Sequence, residues 1–383
     1  MTRRTGMRPL RIAMVGQKGI PARYGGVETH VENIAVRLAA RGHDVTVFCR
    51  ARLRAETPGA NGTYRGVHLV YRGSVNTKHF DAASHTFLSA LESSCRHDFD
   101  LVHLHGIGPA AFAPVAGLFG RKVVSTFHAL DWRQVKWGAR AKSFLRRGES
   151  IGARKSDGVI AVSRLMQGYI QSAHGVDATY IPNGASLPTN AVSPAPLSPW
   201  GLVPGEFVLT VGRIIADRDV ETLLRAFARV RELHPRLRLV IVGSETPRTE
   251  YSEMLERMAG ERVLFTGDVF GEALEALYAY CIVYVLASRV EGLPITVCEA
   301  MAHARPLVLS NIPENAEVGG DAARYFTCGD DAALARELGA VIDDPAARAS
   351  LGAIGKVRCE SHYNWELIAD QVESFYYRVL SDG

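Results

Sequence analysis

The stretch "SRVEGLPITVCEAMAHARPLVLSN", Ser288 to Asn311, lies between two short apolar runs, Val283 to Ala287 and Pro306 to Leu309. Runs of that length, bounded by turn residues and separated by a helical segment, read as neighbouring buried strands of a parallel sheet. The stretch sets Glu291 in the loop after the first strand and Glu299 near the start of the helix. Thr296 and Glu299 have the spacing of a capping box, with Thr296 expected at the N-cap, and that reading accounts for Glu299 without a ligand. It leaves Glu291 unexplained. A carboxylate beside Gly292 and Pro294 can accept hydrogen bonds from hydroxyls, and the N–H groups around Ile295, Thr296 and Val297 can face a phosphate.

Working outward, the same alternation runs through the second half: "FVLTVGR", "LRLVIVG", "VLFTG", "VYVLAS" and "PLVLSN". Arg213, just after Gly212, ends one strand and Arg218 precedes the next helix; two guanidinium groups there suit a diphosphate, or ordinary pairing with Asp217, Asp219 or Glu221. The first half repeats the pattern with "LRIAMVG", "DVTVFC", "LVHLHG", "KVVSTFH" and "GVIAVS". Between the halves, residues 188–205 are rich in Pro, Ser and Ala and read as a linker. The expected organisation is a first α/β domain over 1–187, a second over 206–363, and a closing helix over 364–383. Ligands of open α/β sheets bind at the carboxyl ends of the strands, so two such sheets facing one another make a cleft.

A chain of 383 residues is too long for one ordinary core. It contains no apolar run near the ~20 residues of a membrane span, and its basic N-terminus leads into an apolar segment too short for a secretory signal. The six cysteines show no paired or metal-binding spacing and read as reduced thiols of a cytoplasmic protein. Charge is unevenly spread: residues 1–185 hold 26 Lys/Arg against 12 Asp/Glu, and residues 186–383 hold 18 against 28. The halves therefore meet different partners.

In the basic half, the loop Gly16 to Gly26 runs into a helix, and Gly25-Gly26 permits close approach of a ligand to backbone N–H groups or simply a flexible turn. His128 stands at the carboxyl end of "KVVSTFH", where it meets a sugar hydroxyl or serves as a structural residue. Asp131 and Trp132 follow; a carboxylate beside an indole suits a sugar ring, and equally a capped, packed helix start. Residues 133–155 hold eight Arg/Lys and one Glu interleaved with Trp137, Phe144 and Leu145. Such a segment is either a solvated face or a dock for an anionic membrane surface. Nothing points to nucleic acid.

Glu291-GLPITVC-Glu299 followed by "AMAHARPLVLSN", with "GQKGIPARYGGVETHVE" and "HALDWRQVKWG" upstream, resembles the family 4 retaining glycosyltransferases of GT-B fold over essentially the whole chain. The N-terminal motifs look like those of bacterial polysaccharide rhamnosyltransferases. The resemblance implies two Rossmann-like parallel-sheet domains facing across a cleft, with the C-terminal helix crossing back to the N-terminal domain. It implies a nucleotide-diphosphate sugar donor, dTDP-rhamnose first and UDP- or GDP-hexoses next. Glu299 would hold the ribose, Glu291 and His128 the sugar, and Arg213 and Arg218 the diphosphate. Gly25, Gly26, Gly212 and the backbone from Gly292 through Leu293 and Pro294 to Val297 would line the donor. Tyr24, Asp131 and Trp132 would face the acceptor, a glycan, a lipid-linked glycan or a natural product. The resemblance also implies retention without a protein nucleophile, and no metal or other cofactor. Arg218 replaces a usual Lys, while Ala129 and Ala304 replace usual glycines. Location would be cytoplasmic, at the inner face of the plasma membrane if the basic segment docks there.

Rival readings are a non-catalytic nucleotide-sugar or lipid-binding scaffold and a sugar-nucleotide epimerase of the same fold. A phosphorylase would need a cofactor lysine in the second half, where Lys356 stands alone outside any motif. An NAD oxidoreductase is weakened by the missing GxGxxG.

Overall fold

The computed structural model describes all residues except 1–7, 24, 57–61, 76, 78–79, 97, 135–136, 245–248 and 383. The chain forms two compact units: Met1–Asn183 with Trp365–Gly383, and Gly184–Asn364.

Unit 1 contains eight strands: β1 (Arg11–Val15), β2 (Asp44–Arg50), β3 (Thr63–Tyr64), β4 (Val67–Arg72), β5 (Leu101–His105), β6 (Lys122–Phe127), β7 (Gly158–Ala161) and β8 (Thr179–Tyr180). Their order is β3-β4-β2-β1-β5-β6-β7-β8, and β3 alone runs antiparallel to its neighbour. Apolar runs such as Ile12–Val15 are wholly buried because helices cover both faces. The order reverses between β1 and β5, so loops diverge there and leave a crevice at the carboxyl ends.

The C-terminal helix Trp365–Ser381 completes unit 1. Its buried stripe Ile368, Ala369, Val372, Phe375, Tyr376 and Val379 lies inward at helical spacing. Arg37 pairs with Glu366 at 2.8 Å and Arg41 with Glu373 at 3.0 Å, fixing it against the helix Gly26–Ala40. Gly158 leaves room for it: a Cβ there would stand 2.6 Å from Phe375 Cζ.

Unit 2 has six parallel strands, β9 (Phe207–Val211), β10 (Arg238–Val242), β11 (Val263–Gly267), β12 (Val283–Leu286), β13 (Leu307–Ser310) and β14 (Ala323–Phe326), in the order β11-β10-β9-β12-β13-β14. Its reversal falls between β9 and β12. Residues 188–205 are not the free linker that their composition suggests. Leu197 and Leu202 are buried, and Tyr280 donates to the Val192 carbonyl at 2.5 Å and accepts from Gly205 N–H through its own carbonyl at 2.8 Å. The apolar residues among the prolines dock the segment on unit 2.

Candidate functional site

The reversal in unit 2 brings together two loops far apart in sequence, 212–219 after β9 and 287–294 after β12. Arg218 donates to Ser288 Oγ at 3.2 Å and forms an ion pair with Glu291. Arg289 N–H donates to the Asp217 carbonyl at 2.8 Å, and the Arg289 guanidinium meets the buried Asp219 carboxylate at 3.0 Å. Asp219 has φ 49°, a left-handed conformation for a non-glycine residue, at the start of the helix Val220–Leu233. The turn depends on close packing: a Cβ on Gly243 would lie 2.0 Å from the Gly212 carbonyl oxygen. Gly212 in turn lies beside the Arg218 guanidinium, 3.4 Å from where a Cβ would be. Arg213 is exposed at the same strand end.

The helix carrying the second glutamate spans Ile295–Ala302 and begins one residue after Pro294, its N-cap, which makes no side-chain capping bond. The expected capping box is therefore absent. Thr296 is inside the helix and accepts from the Tyr284 hydroxyl at 2.8 Å, while Glu299 accepts from the Tyr278 hydroxyl at 2.7 Å. Pro294, two residues before the threonine, stands at the N-cap with its φ preset by the ring, and the helix starts ahead of Thr296. Val297 N–H is bonded to the Pro294 carbonyl at 3.2 Å, leaving Ile295 and Thr296 as first-turn donors. Leu293, Ile295 and Val297 bury their side chains, so only their backbone can meet a ligand. Burial pushes the Glu299 carboxyl up to about 7, against the lowering effect of the Tyr278 hydrogen bond. Tyr278 stacks on His303 with ring centroids 5.9 Å apart.

In unit 1, the loop after β1 is fastened by the helix it enters. Lys18 N–H donates to Glu28 at 2.9 Å and Ala22 N–H to Glu32 at 2.5 Å. Gly25 has φ 147° and precedes Gly26, the first helical residue. Tyr24 lies outside the described residues. His128 is buried at the end of β6 beside His105, with Nε2 3.4 Å from His105 Nδ1. His30 and His105 share the cluster and were not singled out from the sequence. Their signal was present in "LVHLHG", where alternate residues His103 and His105 share one strand face. Burial lowers His30 to about 4 and His103, His105 and His128 well below the ordinary imidazole range, so all four rings are neutral near pH 7.

Trp132, read from the sequence as a sugar platform or as a packed aromatic, has polar and cationic partners of its own. Its indole N–H donates to the buried Glu149 at 2.6 Å, and Arg146 lies over the ring at 4.5 Å. Glu149 also accepts from Tyr169 at 2.8 Å and pairs with His174 at 2.7 Å. Asp131 accepts from Gln134 at 3.0 Å in a short turn, Asp131–Arg133, and caps no helix with its side chain. The basic segment forms the helix Ala139–Lys155, whose buried stripe is Leu145, Gly148, Glu149, Gly152 and Ala153. A Cβ on Gly152 would stand 2.3 Å from Ala110 Cβ, so the helix is pressed against the turn below. Its outer face presents Arg140, Phe144, Arg147, Ile151 and Arg154, with Phe144 44% exposed.

Residues 24–187 match the model of Glycosyltransferase Family 4, and residues 203–358 match that of Glycosyl transferases group 1. A phosphatidyl-myo-inositol mannosyltransferase of Mycobacterium leprae is 29% identical over 375 residues, covering 94% of each chain. A glycogen synthase of Mycobacterium tuberculosis is 28% identical over 402 residues, covering 96% of this chain and 94% of its own. Among solved structures, a sucrose-phosphate synthase from Thermosynechococcus elongatus superposes with a TM-score of 0.85 at 22% identity, covering 98% of this chain and 100% of that one. Anabaena Alr3699/HepE in complex with UDP-glucose gives 0.78 at 18% identity, covering 96% and 100%. These likenesses establish the fold as GT-B, with its two parallel-sheet α/β domains.

Proposed function

We propose that this chain, whose two domains belong to glycosyltransferase families over residues 24–187 and 203–358, moves a sugar from a nucleoside-diphosphate donor to a hydroxyl of a glycan or lipid-linked glycan, with retention and without a metal. The observation that carries the reading is the pairing of Arg218 with Glu291 at the strand-order reversal of unit 2, with Arg213 exposed at the same strand end. Arg213 and Arg218 neutralise the diphosphate, Glu291 receives a sugar hydroxyl, and Glu299 holds the ribose hydroxyls beside Tyr278. His128 meets the donor sugar, with Gly25 and Gly26 near the phosphates.

Departure of the nucleoside diphosphate develops negative charge, and fixed guanidinium groups stabilise it without rearranging. No side chain is assigned as nucleophile. The leaving phosphate takes the acceptor's proton on the face from which it departs, so the acceptor oxygen forms its bond on that same face. A hexose donor is supported by the names of the relatives above and by the UDP-glucose complex of the HepE neighbour; dTDP-rhamnose is the second candidate.

The acceptor reading rests on the helix Ala139–Lys155. Arg140, Phe144, Arg147, Ile151 and Arg154 repeat at helical spacing, and a stripe of alternating cationic and apolar groups suits an anionic bilayer surface. Among the described residues no helix is long and apolar enough to cross a membrane. The test is a turnover panel of UDP-, GDP-, ADP- and dTDP-sugars, with the anomeric configuration of any product read by NMR. One donor turned over with retention supports the proposal; hydrolysis-free binding with no transfer to any glycan or lipid-linked acceptor favours the scaffold reading.

A further inference from the structure

The histidine cluster of unit 1 contains more than sugar contact requires. His103 and His105 come from β5, His128 from the end of β6, and His30 from the helix Gly26–Ala40. The His30 ring is 4.7 Å from that of His128 and 5.6 Å from that of His105. His103 is fully occupied, with Tyr376 Oη at 2.6 Å and Thr126 Oγ1 at 2.7 Å. The other three each keep a buried ring nitrogen with no partner among the described residues: His30 Nε2, His105 Nε2 and His128 Nδ1. Buried polar nitrogens are ordinarily satisfied, so three orphans in one cluster of neighbouring rings point to a missing partner.

His30 reveals the kind of partner. Its Nδ1 lies 2.9 Å from Asn183 Oδ1, an acceptor, so the ring proton sits on Nδ1 and Nε2 offers a lone pair. A hydrogen-bonded nitrogen on one side and a free lone pair on the other is how proteins orient metal-binding imidazoles. We propose that His30, His105 and His128 form a site for a borderline divalent transition-metal ion of the zinc or cobalt class.

One ring nitrogen from each residue can be chosen so that all three lie within 4.8 Å of one another. Tetrahedral zinc with bonds of about 2.0–2.1 Å brings its nitrogens to roughly 3.4 Å, so the rings close by up to about 1.4 Å on binding. Imidazoles without a carboxylate select such ions over magnesium or calcium. Three protein ligands leave a fourth position open. The ion is not needed for glycosyl transfer. Because it takes His128, it inhibits transfer, and that consequence alone rests on the function proposed above.

The experiment uses the full chain freed of any affinity tag and stripped with chelator, titrated with Co2+ while its visible d–d absorption is recorded, then displaced with Zn2+. One equivalent should give a tetrahedral spectrum. His30→Ala and His105→Ala should each weaken binding at least 10-fold, and Asn183→Leu should weaken it while every ligand remains. His68→Ala, at an exposed position on β4, should bind as wild type. Circular dichroism of the metal-free variants separates lost binding from lost folding. Absence of the spectrum in folded wild type, or its persistence in the folded His30→Ala/His105→Ala double variant, overturns the site. Added Zn2+ should suppress transfer and chelator restore it; full transfer by demonstrably loaded protein overturns the inhibitory part.

Discussion

Arg218 and Glu291, 73 positions apart in sequence, are each other's ion-pair partner at the carboxyl ends of β9 and β12, with side chains 22% and 8% exposed. The cation assigned to the diphosphate and the acid assigned to the sugar therefore neutralise one another. A nucleotide entering there competes with Glu291 for the guanidinium.

That competition separates binding from turnover. Glu291→Gln removes a negative charge beside the phosphate position and should leave affinity for free nucleoside diphosphate unchanged or raise it. Transfer should fall roughly 100-fold, the scale of losing one placed electrostatic contact. Calorimetry with the nucleotide and a rate assay with the sugar donor read the two effects.

Arg218→Ala leaves the Glu291 carboxylate buried and unpaired, whereas Arg218→Lys retains a charge but loses the fork that also reaches Ser288. The alanine variant should lose about 1–3 kcal/mol of stability, reduced from the cost of breaking a fully buried pair by the partial exposure of the arginine. It should also lose transfer at least 100-fold, while the lysine variant keeps about a tenth. Urea melts and initial rates check both.

Much of the fold was legible because a strand buried on both faces must be apolar throughout, which makes runs such as "VLTV" and "VYVL" visible without an alignment. The two arginines and Glu291 were legible as groups at strand ends, since strand termini in parallel sheets share one edge. What failed depended on tertiary partners. Thr296 and Glu299 have capping spacing, yet Pro294 starts the helix earlier and two tyrosines from Tyr278 and Tyr284 take the polar groups. Trp132 left a sugar platform and a packed aromatic both open, because Glu149, 17 positions away, was invisible as the partner of its indole N–H. His30 lies in an amphipathic helix and reads as ordinary core until His105 and His128 meet it.

Glu299 supplies a pH dependence. Its carboxyl is raised from 4.5 in an unfolded chain to about 7. The folded state therefore holds the proton more tightly, and this contribution to stability is complete below about pH 4.5 and fades as pH rises through 7. Glu299→Gln should remove that part of the slope, so the wild-type minus variant difference in melting midpoint should drift downward from pH 4.5 to 7 and then level. Nucleotide affinity should rise over the upper end of the same window, because the ionised carboxylate is the better ribose acceptor. Melts and calorimetry across pH measure both.

Ala304 carries φ 55°, a left-handed conformation just past the helix Ile295–Ala302. Glycine there relieves about 1–2 kcal/mol of backbone strain and returns about 0.5–1 kcal/mol through the freer unfolded chain. Ala304→Gly should raise the melting midpoint of the unit by about 1–3 °C. A lowered midpoint would mean that the methyl group packs better than the turn is strained.

The outer face of the helix Ala139–Lys155 carries the membrane reading. Changing Arg140, Arg147 and Arg154 to Glu should weaken binding to vesicles containing anionic lipid by at least 100-fold, since each surface cation contributes about 1 kcal/mol near such a bilayer. Neutral vesicles should show little difference. Transfer to a short, soluble acceptor should be unchanged.

The most direct measurement is the thermal midpoint of the purified chain with UDP, GDP, ADP and dTDP, repeated on Arg213→Ala and Glu299→Ala. A nucleotide at 100 times its dissociation constant adds about 2.7 kcal/mol. One nucleotide should raise the wild-type midpoint clearly and shift both variants far less. No shift with any of the four, or an equal shift in wild type and both variants, would contradict the assignment of unit 2 as the donor site.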